Sequence, residues 1–398
     1  MRVTESFSRS TLSTDDIKKI IDSAARQDFR FLSLTGGEPL LDVDRLVELI
    51  SYAGKSGIPY IRTGTNGFMF RDHEKSTFQD RVSELADKLC STPLRTFWIS
   101  MDSHVPEIHE KMRGFKGVIT GIEKALPVFH RAGIFPSVNL GINRNVGGKA
   151  TGSIRLFSGS GTKENEDIFY NTYKKAFEDF FQRAVDLGFT ISNSCYPMSI
   201  DESEPEGRDL NAVYHATALS DIVHFSSSEK NLIFKALEAA IKKYRSKIRI
   251  FTPLFSLEAL INRYAENGRE CLSYGCRGGV DFFYINASDG NIYPCGYRGN
   301  DNYGRLQDLD INRIPVPSRK TACRLCDWEC FHDPSEMLGP VFEMLSNPVA
   351  QVKEMLTGRR NFFTWLNDFR YYSACDFFNG RKAPDYNKLK KHSQFMPA

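Results

Sequence analysis

Long hydrophobic runs, an apolar leader and an excess of one charge are all missing from this chain of 398 residues. No apolar stretch approaches the ~18 residues that a membrane-spanning helix needs, so no membrane partner is expected. The opening MRVTESFSRSTLSTDD has no apolar segment of the kind a secretion signal carries, and the expected location is cytoplasmic. The 52 basic and 49 acidic residues leave a net charge of +3, and their interspersion gives no warrant for nucleic acid as a partner. Cysteine is absent before Cys90, and seven of the nine cysteines fall between Cys271 and Cys375. An odd, clustered set without a leader favours metal or redox chemistry over a disulfide framework. What remains is ordinary globular material, 41% apolar and 25% charged, long enough for two domains.

Short runs rich in β-branched and aromatic residues recur at 29–35, 58–64, 95–101, 134–142 and 189–195, with a sixth at 248–252. Helical patterns precede the first five, beginning with DDIKKIIDSAARQ at 15–27, for which Ser13 and Thr14 are N-cap candidates. Such alternation predicts parallel βαβ units, hence an α/β sheet or barrel. The first helix has no strand in front of it, which a βαβ crossover requires. Later, GVDFFYINASDGNIYPC reads as a hairpin around Ser288–Asp289–Gly290–Asn291, and the last fifty residues read as helical, then polar and basic. The run Lys242–Lys243–Tyr244–Arg245 reads as the complement of a helix C-terminus. Gly54–Lys55–Ser56 and Gly159–Ser160–Gly161 lack the partners of a phosphate loop or dinucleotide fingerprint and read as linkers.

Thr35–Gly36–Gly37–Glu38–Pro39 closes a strand and leads to a helix, the place where α/β folds seat ligands. Its glycines let a backbone approach a ligand, and Glu38 offers a carboxylate to a cation such as an ammonium group. A sharp βα turn with a capping glutamate uses the same residues. Around Cys276 and Cys295, which flank the hairpin, and Cys323–x₂–Cys326–x₃–Cys330, four thiolates suit tetrahedral zinc or an iron–sulfur cluster equally.

The segment resembles the GGEP motif of the radical S-adenosylmethionine (SAM) superfamily. Thr65–Asn66–Gly67, Ser100–Met101–Asp102–Ser103, Asn139 to Asn143 and Cys195–Tyr196–Pro197–Met198 extend the resemblance over 28–200. It implies a (β/α)₆ barrel, here partial and lacking its first strand. It also implies that Gly36, Gly37, Glu38, Pro39 and Asn66 line SAM, with Glu38 on the amino group and Ser100, Asp102 and Asn139 on the carboxylate or ribose. His109 and Arg113 read as either surface groups or ligands. The cysteine-rich part is similar to the SPASM and twitch extensions of these enzymes, which implies an auxiliary 4Fe–4S cluster on Cys276, Cys295, Cys323 and Cys326, with Cys330 a further thiol. Boundaries follow at 1–252 for the barrel, 253–345 for the cluster domain and 346–398 for a helical extension and polar tail.

The resemblance breaks at the N-terminus. The family's CxxxCxxC, which holds the cluster that binds and cleaves SAM, has no counterpart among the 35 residues before Gly36. The absent strand and the absent thiols coincide, and the expectation is a further segment upstream that carries both. The expected function is then reductive cleavage of SAM to a 5′-deoxyadenosyl radical acting on a small molecule or peptide, with an external one-electron reductant. The alternative is a non-catalytic iron–sulfur or zinc protein on the same scaffold. Tyr60, Arg62, Tyr196 and Met198 are the candidate substrate contacts at the mouth.

Overall fold

The computed structural model describes residues 11–156, 162–197, 221–265, 274–316, 323, 327–357 and 362–393. Helices and strands alternate as α1 (Thr14–Arg26), β1 (Phe31–Leu34), α2 (Val43–Lys55), β2 (Tyr60–Thr65), α3 (Phe78–Cys90) and β3 (Leu94–Met101). They continue as α4 (Pro106–Arg113), α5 (Val118–Arg131), β4 (Ser137–Gly141), α6 (Lys149–Gly152), α7 (Lys163–Leu187) and β5 (Ile191–Cys195). Then follow α8 (Ser227–Tyr244), β6 (Arg249–Ile250) and α9 (Leu254–Arg263). The strands form one parallel sheet in the order β1-β2-β3-β4-β5-β6, with β1 and β6 as its edges among the described residues. This is the parallel α/β architecture expected from the alternating pattern and the partial barrel implied by the resemblance.

Local chemistry explains the boundaries. Ser13 caps α1 by accepting the Asp16 N–H at 3.1 Å, and Asp42 does the same for α2 through Arg45 N–H. At α8 a capping box joins Ser226 and Glu229. Gly54 and Lys55 close α2 rather than forming a linker; a Cβ on Gly54 would meet Pro93 at 2.4 Å. Gly159–Ser160–Gly161 lies outside the described residues.

Strand alternation sorts the side chains. Ile61, Phe97, Ile99, Val138 and Leu140 are fully buried in the layer that the helices cover. The opposite, concave face is polar. Register pairs Ser100 with Asn139 and Asn139 with Asn193, and paired residues of a parallel sheet point the same way, so the three form one row.

Two later stretches pack on this same body. The hairpin β7 (Tyr284–Ile285) and β8 (Ile292–Tyr293) forms as the turn signal predicted, with Gly290 at φ +75°. Ile292, Leu306 and Ile311 join the core that contains Ile20 and Ile21 of α1, and Leu12 N–H donates to the Ala287 carbonyl. The chain then runs through α10 (Glu329–Ser346), α11 (Pro348–Thr357), α12 (Phe362–Ala374) and α13 (Tyr386–Ser393). Tyr371, Cys375 and Leu389 pack with Ile191, closing the sheet at β5 and β6. Lys242 and Lys243 do sit in the last turn of α8, but Arg245 is fully buried. It pairs with Asp368 of α12 at 2.7 Å and lies over Tyr371, so it clamps the extension to the sheet.

Candidate functional site

The carboxyl ends of β1 to β4 carry most of the expected SAM contacts. Gly36 and Gly37 adopt φ +94° and +55°, values that L side chains rarely take, and a Cβ on either would meet no atom within 4 Å. The loop therefore presents bare backbone to open space. Glu38 follows, with Pro39 starting a short 3₁₀ turn behind it. One carboxylate oxygen of Glu38 accepts the Asn66 N–H at 2.7 Å and the other accepts the Leu40 N–H at 3.1 Å. Burial pushes its pKa up, against the two amides and the Thr65 hydroxyl, which favour the ionised form. Three donors leave one of about four acceptor sites on the carboxylate for an external donor. The Asn66 side chain accepts the Phe68 N–H at 2.9 Å, which fixes the turn after β2.

Ser100 and Asn139 sit half-buried in the polar row of the concave face, beside Asn193, which sequence reasoning missed. Among the described residues Asn193 Oδ1 is buried without a hydrogen-bond partner. Strict alternation through β5 was the signal that could have found it. Asp102 is different. It is 5% exposed and pairs with Arg113 at 2.6 Å, while its backbone N–H donates to His109 Nδ1. His109 is fully buried and Arg113 nearly so, so neither is a surface group. The helix α4 folds both back beneath the end of β3, and the three residues brace that loop.

The cysteines divide into two places. Cys276 Sγ accepts the Gly278 N–H at 3.3 Å and Cys295 Sγ accepts the Tyr297 N–H at 3.4 Å. Such N–H···S bonds favour a thiolate, and both sulfurs pack under Tyr297, Trp328 and Phe331. Burial raises Cys276 to about 11 and Cys295 to about 12, and Cys323 lies close enough to add to both shifts. As free thiols they are protonated; a bound metal is what ionises such groups. Among the described residues no group of three or more Cys, His, Asp or Glu has the spacing to hold a metal ion. Cys326 and Cys271 lie outside the described residues.

Cys330 is not drawn to that group. From the first turn of α10 its exposed Sγ lies 3.8 Å from Arg62 Nη2 and donates to Glu329 Oε1 at 3.5 Å. Cys195, at the end of β5, hydrogen-bonds the same carboxyl. Spacing within CRLCDWEC could not separate Cys330 from its neighbours, because a helix start intervenes. Tyr60 bonds Thr96 on the sheet at 2.7 Å, and Tyr196, just past the end of β5, is buried against Asp333 at 3.1 Å. Met198 lies outside the described residues.

Several known proteins are similar to this chain. An AdoMet-dependent heme synthase of Methanosarcina barkeri is 20% identical over 308 residues, 74% of this chain and 70% of that protein. A second, from Oleidesulfovibrio alaskensis, is 24% identical over 78% of this chain and 67% of its own length. Streptococcus suis SuiB superposes with a TM-score of 0.46 at 14% identity, and the chain spans 59% of SuiB's length. The family model of the Radical SAM superfamily matches residues 4–145, from before α1 to just beyond β4. The matched part of the chain, with GGEP at the end of β1 and Ser100 and Asn139 in the polar row, is similar to the radical SAM superfamily.

Proposed function

We propose that the carboxyl end of this sheet binds SAM and that the chain serves a radical oxidoreductase or maturase reaction on a small molecule or a peptide. The observation that carries the reading is the loop Gly36–Gly37–Glu38, an open backbone cradle with a half-buried carboxylate at the ends of β1 and β2. Glu38 takes the amino group of SAM, while Ser100 and Asn139 take its carboxylate or ribose hydroxyls. Asp102 acts from behind, by holding Arg113 and the end of β3.

The second element of the proposal is an auxiliary 4Fe–4S cluster on Cys276, Cys295, Cys323 and Cys326. Thiolate ligands and N–H···S bonds at Cys276 and Cys295 suit such a cluster. Such a cluster would supply one-electron chemistry, and Trp328 and Phe331, packed on Cys276 and Cys295, would exclude water from it. The three parts of the chain act as barrel (1–252), cluster domain (253–345) and helical extension (346–398).

No CxxxCxxC stands in this sequence, and at the SAM end of the sheet the described residues offer no three thiolates. The SAM-cleaving cluster is thus not fitted by the residues at hand. The deciding experiment is anaerobic reconstitution with iron and sulfide of the chain fitted with an upstream CxxxCxxC segment, followed by SAM and dithionite. Formation of 5′-deoxyadenosine supports the radical reaction. SAM binding without that product supports the binding-protein reading instead.

A further inference from the structure

We propose that Arg62 anchors a carboxylate of the molecule that enters the concave face. The proposed function is needed only to call that molecule the substrate; the anion seat stands on its own geometry.

Arg62 lies in mid-β2 on the polar face. Its Nε donates to Ser33 Oγ at 3.1 Å, and its guanidinium carbon lies 4.9 Å from the Phe31 ring centre and 5.5 Å from that of Trp98. Gly64 makes this possible, since a Cβ there would stand 2.1 Å from the Trp98 ring. The two rings flank the guanidinium and restrict its position. Among the described residues no carboxylate is in ion-pair contact with Arg62; its other polar neighbours are the Cys330 thiol at 3.8 Å and, beyond contact, the Glu329 carboxyl, which its charge favours in the ionised form. That carboxyl is engaged by Cys330 through Oε1 and by Cys195, and burial raises its pKa against the pull of Arg62. A half-buried guanidinium with no carboxylate in contact fits a bidentate carboxylate ligand. The chemistry is shared by a free organic acid and by a peptide side chain or terminus.

Iodoacetate tests the seat because it carries a carboxylate one carbon from an electrophile. The Cys330 sulfur attacks that carbon, a C–S bond forms, iodide leaves and the thiol proton passes to buffer. The quantity to measure is the rate with iodoacetate over the rate with neutral iodoacetamide, at Cys330 of the full chain, by peptide mass spectrometry. A ratio cancels the thiol's own acidity and access. It should exceed that of glutathione by about tenfold, the worth of a charge-assisted hydrogen bond. Arg62→Lys should keep most of the gain, and Arg62→Gln should abolish it. A wild-type ratio equal to that of glutathione, an unchanged ratio in Arg62→Gln, or a Cys330 inert to both reagents overturns the proposal.

Glutarate and an acetylated, amidated glutamyl peptide serve as competitors. Protection by the first assigns a free acid, protection by the second a peptide, and protection by neither counts against the seat. SAM binding is measured separately and does not involve Arg62, so either reading can fail alone.

Discussion

Asp102 and Arg113 form a 2.6 Å ion pair beneath the end of β3, with both side chains almost wholly removed from solvent. Desolvation alone would raise the Asp102 carboxyl, but Arg113 and His109 outweigh it and hold its pKa below the ordinary value. The pair therefore serves the loop's position, with the Asn143 amide adding a 2.8 Å bond to the Asp102 carbonyl.

Removing one partner leaves a buried charge uncompensated. Asp102→Ala should cost about 3–5 kcal/mol of stability, read from urea midpoints, and the Asp102→Ala/Arg113→Met double variant should recover part of it. Equal stability of the wild type and Asp102→Ala would show the pair to be inert.

His109 sets a pH dependence. Burial lowers its pKa from 6.5 to about 4, against the attraction of Asp102. A depressed histidine pKa means that the unfolded chain binds the proton more tightly. Its contribution is therefore complete above the unfolded value and is lost as pH falls from 6.5 towards 4. The size is on the order of 3 kcal/mol. Thermal melts across that window should show a shallower acid loss in His109→Gln than in the wild type.

Glu38 should matter more to binding than to the fold. Glu38→Gln keeps one oxygen acceptor, for the amide of either Asn66 or Leu40, turns an NH2 donor toward the other, and loses the negative charge offered to an ammonium group. SAM affinity should fall by about tenfold in calorimetry, as for loss of a charge-assisted bond, while the protein stays folded with a lowered melting temperature. Unchanged affinity removes Glu38 from the site.

Iron content should divide the cysteines as the geometry does. Cys276→Ser and Cys295→Ser should lose the iron and the visible absorbance of anaerobically reconstituted protein, whereas Cys330→Ser should keep both. Colourless wild-type protein that retains zinc would replace the iron–sulfur assignment with a zinc site.

The sequence by itself determined what local rules govern. Runs of β-branched residues between helical patterns placed all six strands of the parallel sheet, Ser13 marked the start of α1, and the Asp289–Gly290 turn marked the hairpin. Two glycines before Glu38 placed an open loop at a strand end, because positive φ is a property of the residue itself. Packing decided the rest. Arg62 and Cys330 stand 268 residues apart, and only the docking of α10 against the concave face brings them together. Asp102 resembled a ligand until α4 delivered Arg113 to it, and Arg245 resembled a solvated helix end until α12 buried it against Asp368. Periodicity and capping act over a few residues, whereas the partner of a buried charge or thiol is set by which elements the whole chain packs together.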